Sequence, residues 1–308
     1  MNAPFISLII CSYNRAQQLR RLLESVSHLR NLDAIDHEII IVDNNSSDNT
    51  REVIEGFKPF LTIRSYLEKQ QGLSYAKNRG IKEAKGAYLA FIDDDVCVDQ
   101  NWLIELLRCI KEHTPDCIAV KVLPRWESER PAWLTDALSM NLGLLDYGDQ
   151  PFHIRSRDRQ FVGTSFCVKR SLFDNERYLF KTQLGRTGKR VLSSEETELF
   201  LRLLRDHRLI WYWPSAFVYH IVPRHRMSVG YLLKWNFYYG QSMGKLQTFF
   251  PLGLYESKKA MLLKRTKLIM RNLITLHKRY IELLTLCARF IGLIVYTLSK
   301  HNQADNAD

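Results

Sequence analysis

Three aspartates, Asp93, Asp94 and Asp95, follow directly on the apolar run Tyr88–Ile92. Adjacent carboxylates repel, so such a run is either a solvated turn or is met by positive charge. Side chains alternate along an extended segment, which predicts Asp93 and Asp95 on one side and Asp94 on the other. Two carboxylates on one side suit a hard divalent ion, Mg²⁺ or Mn²⁺. Another acid, Asp43, ends "HEIIIVD" and precedes "NNSSDNT". An aspartate there can accept a hydrogen bond from a base N–H, while Ser46, Ser47 and Asp48 suit a helix start. "GLSYAKNRG" carries Lys77, Asn78 and Arg79, placed to meet a diphosphate or merely to line a solvated helix face. Glu195 and Glu196, in "SSEETELFLRLL" (193–204), fall in the first turn of a helix, where the dipole favours carboxylates. Glu198 and Arg202 make an i,i+4 pair expected on the outside of that helix. "AFVYHIVPRHRMS" adds His220 after a strand, as a metal ligand or a packed imidazole, then Arg224, His225 and Arg226.

These residues need elements to hold them. "FISLIIC" (5–11), "HEIIIVDN" (37–44), "FLTIRSYL" (60–67), Tyr88–Ile92 and "CIAVKVL" (117–123) read as strands. Helical spacing over Arg15–Leu29, Asn49–Gly56, Leu73–Ala84 and Trp102–Ile110 separates them. Alternating strand and helix predicts an α/β fold with a mostly parallel sheet and helices on both faces. Ligands of such sheets bind at the carboxyl ends of strands, where Asp43 and the Asp run lie. After residue 123 the pattern is irregular, with "FVGTSFCVKR" (161–170), "LIWYWP" (209–214) and "AFVYHIV" (216–222) strand-like. From about 228 it is helical to a polar tail at 301–308, with a break near Pro251 and Gly253.

"CSYNR", "VDNNSSDNT", "GLSYAKNRG" and "FIDDD", in this order, resemble the family 2 glycosyltransferases over roughly residues 5–225. The resemblance implies the GT-A (Rossmann-like) fold and inverting transfer from a nucleotide sugar, a UDP-sugar first among donors, to a glycan or lipid-linked acceptor. It implies a divalent cofactor, Mn²⁺ or Mg²⁺. By the same resemblance Asp43 contacts the base, and Asp93 and Asp95 are the outer residues of the DxD motif. Asp93 then lies near the ribose and Asp95 on the metal–diphosphate, with Asp94 grouped among the donor-binding residues. Ser12 and Tyr13 lie at the turn over which the nucleotide packs, and His220 matches a distant metal ligand of some relatives. In the family's "ARN" stretch this chain has Ala76-Lys77-Asn78; lysine keeps the charge but lacks the bidentate fork. Where the family has Gly-Glu-Asp, this chain has Ser194-Glu195-Glu196, which makes Glu196 the expected base and Glu195 the alternative. Arg226 is expected over the diphosphate. "FVGTSFCVKR" matches the acceptor-lining segment, where Trp126 and Trp133 are candidates to stack on sugars or simply to pack.

The domain reading is 1–227 catalytic, with a nucleotide half (1–123) and an acceptor half (124–227), then 228–300 helical. The chain has 308 residues and a formal charge of +11. Much of that charge lies in residues 256–280, with eight Lys/Arg against one acid. A basic amphipathic helix reads as a membrane-surface element. The charge-free run that follows, Phe290–Ser299, has ten residues, short of the roughly 20 that span a bilayer. With no signal-peptide pattern at the N-terminus, the expectation is a cytoplasmic protein held peripherally on the inner face of the membrane; the competing reading is a helical pair packed on the protein. Six cysteines without a CxxC pair suit reduced thiols. A sugar-nucleotide nucleotidyltransferase is disfavoured because "CSYNRAQQ" has no glycine for a phosphate loop. A non-catalytic membrane- or nucleic-acid-binding module is disfavoured by the intact aspartates and by a basic stretch without interleaved aromatics, so no nucleic-acid partner is expected.

Overall fold

The computed structural model describes residues 6–187, 193–249 and 280–304. Apolar, β-branched segments form four parallel strands, β1 (Ile6–Ser12), β2 (His37–Asp43), β3 (Ile63–Leu67) and β4 (Tyr88–Asp93). The connections run through α1 (Ala16–Ser27), α2 (Thr50–Phe57) and α3 (Leu73–Glu83). α1 turns Leu19, Leu22, Leu23 and Val26 into the core. α3 lies so close to β1 that a Cβ on Gly80 would stand 2.5 Å from Ile9 Cγ2. The spatial order β3-β2-β1-β4 reverses direction at β1, so a crevice opens at the carboxyl ends of β1 and β4. The register puts Ser12 opposite Asp43 and Cys11 opposite Asp93, aligning the ends of all three strands.

Beyond β4 the sheet runs antiparallel. β5 (Val96–Val98), α4 (Trp102–His113), β6 (Cys117–Trp126), α5 (Asp136–Ser139), β7 (Phe152–Ile154) and β8 (Ser165–Lys169) come next. They are followed by α6 (Glu195–Arg205) and β9 (Ile210–Val222). β8 inserts between β4 and β6 and pairs antiparallel with both, so the parallel run ends before 117–123. Helix–strand alternation in sequence cannot show such an insertion. The two strands expected at 209–214 and 216–222 are one strand. Pro214 is tolerated between the residues that pair with β7 (210–212) and those that pair with β5 (218–220).

The chain forms two units, one within Met1–Arg125, Gly143–Gln183 and Glu195–Ile221, the other within Trp126–Leu142, Leu184–Ser194 and Val222–Asp308. In the second, α7 (Val229–Leu246) and α8 (Tyr280–Ala304) cross closely. A Cβ on Gly240 would stand 1.9 Å from Arg289 O, and one on Gly292 1.9 Å from Phe237 O. Arg289 Nε donates to Asn236 Oδ1 at 3.0 Å, and its guanidinium lies 4.6 Å from the Tyr239 ring centroid. The first residues of the expected polar tail, 301–304, extend α8. Among the described residues no helix is long and apolar enough to cross a membrane. The basic stretch 256–279 lies outside the described residues, as does the break at Pro251 and Gly253.

Candidate active site

β4 ends at Asp93, and Asp94–Asp95 form the turn into β5. Regular strand alternation therefore stops at Asp93, and the turn sets where Asp94 and Asp95 point. Arg15, at the start of α1, donates through Nη1 to Asp94 Oδ1 at 2.7 Å and to Asp95 Oδ2 at 3.1 Å. Ser12 Oγ donates to Asp94 Oδ2 at 2.8 Å. Asp94 is thus a fastening that ties the acid turn to the end of β1. Arg15 was not singled out in the sequence; its only signal was being the first cation after β1, within "CSYNR". The acids raise its proton affinity further, Asp94 most strongly.

β9 runs antiparallel to β5 with His220 opposite Val96, which brings His220 Nε2 to 3.3 Å from Asp95 Oδ1. Asp93 is pushed up to about 7, by burial first and then by Asp95 and Asp94, against the pull of Lys77 and His220. Asp94 is also raised, again mainly by burial, although Arg15 opposes it. Cys11 sits among these charges as a thiol that burial pushes up to about 12.

Lys77 is not on a solvated helix face. It is 3% exposed, and its Nζ lies 3.1 Å from Glu195 Oε1, with the Phe180 ring centroid 5.1 Å away. Burial pushes the Glu195 carboxyl up, but Lys77 and hydrogen bonds from the helix start and Glu196 bring it below the ordinary range. Glu196 moves the other way, up to about 8, through burial and the neighbouring Glu195 charge. Of the two, Glu196 therefore has the higher affinity for a proton. Two adjacent glutamates, alike in sequence, have their proton affinities pushed apart by one buried lysine, the pattern that separates acid–base roles in active sites.

Other expected residues take different places. Asn78 clasps the backbone of Phe180, donating to its carbonyl and accepting from its N–H, both at 2.9 Å. Arg79 pairs with Glu83 at 2.9 Å. Asp43 is half-buried and accepts the Ser46 N–H at 2.9 Å. Asp48, rather than Ser46 or Ser47, serves the helix starts, accepting from Thr50 N at 3.1 Å and Ala16 N at 3.0 Å. Asn44, also missed in the sequence, ties down the loop before α3 by donating to Glu68 O and Gln70 O and accepting from Gly72 N. Tyr13 is exposed at the mouth of the crevice. The Glu198–Arg202 pair forms but is buried, not external, because Arg202 also donates to the carbonyls of Arg177 and Leu179. Arg226 lies in a 3₁₀ turn, Arg224–Met227, of the second unit, and Trp126 and Trp133, half-buried, belong to that unit too.

Among the described residues no group of three or more His, Cys, Asp or Glu is arranged to hold a metal ion alone. The donor chemistry nonetheless fits a divalent ion. Carboxylate oxygens and an imidazole nitrogen, the donor types a divalent ion takes, meet at Asp95 and His220.

Residues 7–175 match the family model "Glycosyl transferase family 2", a span that includes the acid turn and Lys77 but ends before α6. The succinoglycan biosynthesis protein ExoM of Rhizobium meliloti is 25% identical over 244 residues, 78% of this chain and 74% of that protein. The glucosyl-dolichyl phosphate glucuronosyltransferase of Haloferax volcanii is 25% identical over 255 residues, 80% and 78% of the two chains. Among solved structures, the mannosyltransferase PcManGT of Pyrobaculum calidifontis, in complex with GDP-Man and Mn²⁺, superposes with a TM-score of 0.67 at 16% identity. That match covers 97% of this chain and 88% of the other and places the fold in the GT-A class. With its first four strands, their crossovers and the acid turn inside the matched span, the chain belongs to glycosyl transferase family 2.

Proposed function

We propose that this glycosyltransferase moves a sugar from a nucleoside-diphosphate sugar to an acceptor hydroxyl with inversion, Glu196 acting as general base. The observation that carries this reading is the Lys77–Glu195–Glu196 array, which leaves one carboxyl with a proton affinity close to working pH. Glu195, held ionised by Lys77, receives the hydrogen bond from Glu196 and keeps it oriented. Ionised Glu196 takes the acceptor proton as the hydroxyl attacks the anomeric carbon opposite the leaving diphosphate. Tyr13 and Asp43 flank the nucleotide at the aligned ends of β1 and β2, and UDP-sugars are the first donors to test. Asp95 and His220, with Asp93 beside them, would contribute ligands to the divalent ion, which when bound would offset the charge that develops on the leaving diphosphate. Arg15 holds Asp95 in place for that role.

Replacing Asp95 with asparagine removes the charge nearest His220. Affinity for a nucleoside diphosphate in Mn²⁺ is expected to fall by about 100-fold, since even outer-shell changes at metal sites cost 10–100-fold. Titration calorimetry with and without EDTA checks this. Equal affinity of the wild-type protein in Mn²⁺ and in EDTA would overturn the metal assignment.

The acceptor is proposed to be a glycan or lipid-linked sugar in polysaccharide or glycolipid synthesis, met at a membrane surface through the basic C-terminal sequence. Seven net positive charges in residues 256–280 support this reading, each worth roughly 1 kcal/mol beside an anionic leaflet. Ile291 and Val295, on one side of α8, are 53% and 41% exposed. The full-length protein is expected to float with anionic vesicles, less so in high salt, while a 1–255 truncation stays in solution. Equal behaviour of the two proteins removes the membrane role.

A further inference from the structure

By the family resemblance an aspartate is expected where this chain carries Glu196, a residue one methylene longer. Something in the site must accommodate the extra length. A Cβ built on Gly163 would stand 3.1 Å from Glu196 Cδ and 3.3 Å from both its Cγ and its Oε1. Ordinary carbon contacts lie at about 3.5–4.0 Å, so a side chain at 163 is accommodated only if Glu196 gives way by a few tenths of an ångström. The volume that a side chain would occupy is filled by the outer half of Glu196.

The same piece of backbone also touches the acid turn. Thr164, next in the chain, accepts the Asp93 N–H through its carbonyl at 2.9 Å. Its hydroxyl donates to Gly143 O at 2.9 Å. Gly143 has φ +76°, and a Cβ there would stand 2.9 Å from Thr164 Oγ1 and 3.5 Å from His220 Cε1. Residues 163–164 are therefore a strut with Glu196 against one end and Asp93 bonded to the other.

We infer that Gly163 is a positioning residue that sets the reach of Glu196, and that glycine at 163 and glutamate at 196 form a size-coupled pair. This rests on the reading of Glu196 as the base. An alanine at 163 displaces the carboxyl by a few tenths of an ångström from the acceptor hydroxyl while leaving the donor site alone. The shorter aspartate at 196 removes the outermost carboxyl atom and lets the carboxylate turn away, leaving Cγ, 3.3 Å from the added Cβ, as the one fixed contact.

The test is a double-mutant cycle of Gly163→Ala and Glu196→Asp, with Glu196→Gln as a separate reference. Turnover, donor KM and the thermal midpoint are measured for each folded protein. Misplacing a reacting group by about 1 Å costs on the order of 100-fold, so a few tenths should lower kcat about three- to tenfold when Glu196 is present. Donor KM should stay as it is. In the Glu196→Asp background the same alanine should cost less than about twofold. Should Gly163→Ala fail to fold while the double variant folds, the coupling is supported through stability. An equal alanine penalty in both backgrounds, a penalty appearing in donor KM, or failure of both alanine variants to fold would overturn the inference. Wild-type turnover by Glu196→Gln would instead refute the base, and that result is distinct because it needs no change at 163.

Discussion

Glu196→Gln is expected to lower turnover by about two to four decades, the cost of losing a positioned acid–base group, with donor binding retained. Glutamine keeps the shape of the neutral carboxyl and can still donate to Glu195, so the fold around α6 should persist. The wild-type pH profile carries the complementary signature. A base must be ionised to act, and the Glu196 carboxyl is raised to about 8. The free-enzyme rate constant kcat/KM should therefore climb with pH and level off above about 8, with the value at pH 7 about tenfold below the plateau. Stability should run the opposite way. The folded-state affinity exceeds that of an ordinary glutamate, so the proton stabilises the fold in full below about 4.5, and that contribution is lost as pH rises through about 8. Wild type should accordingly lose stability relative to Glu196→Gln across that window, and parallel stability curves would count against the raised affinity. A larger turnover loss in Glu195→Gln than in Glu196→Gln would exchange the two assignments.

Lys77→Met is expected to be among the most destabilising single changes in the catalytic unit. Lys77 and Glu195 have side chains only 4% and 3% exposed and stand 3.1 Å apart. Removing one partner of such a pair leaves an uncompensated buried charge and costs about 3–5 kcal/mol, a large share of the roughly 5–15 kcal/mol typical of a folded domain. Methionine matches the length of the lysine stem, so the loss is electrostatic and not a cavity. Removing the second charge as well, in Lys77→Met/Glu195→Gln, should recover much of the stability, because the penalty lies in the orphaned carboxylate. Urea unfolding of the single and double variants measures both effects. A Lys77→Met protein as stable as wild type, with a raised donor KM, would return Lys77 to the diphosphate contact that the family resemblance implied.

Much of this was readable in one dimension. The four parallel strands are runs of β-branched and aromatic residues broken by amphipathic helices, and such local patterns survive in sequence because each element must bury its own apolar face. The positions of Asp43, Asp93 and Glu195 followed too, since strand ends and helix starts are where those patterns stop. Partnership was not readable. Arg15 and Asp94 are 79 residues apart, Lys77 and Glu195 118. Lys77, Asn78 and Arg79 are neighbours in sequence, yet one is a buried counter-ion, one a backbone clasp and one a member of a half-exposed pair. Glu195 and Glu196 are chemically identical, and it is the approach of Lys77 to Glu195, with burial and the Glu195 charge acting on Glu196, that moves their proton affinities in opposite directions. The antiparallel return of β9, which sets His220 beside Asp95, likewise depends on how β8 enters the sheet. Local sequence determines where charges stop along an element; what each charge does is decided by the low-dielectric neighbours that the tertiary fold brings within a few ångströms.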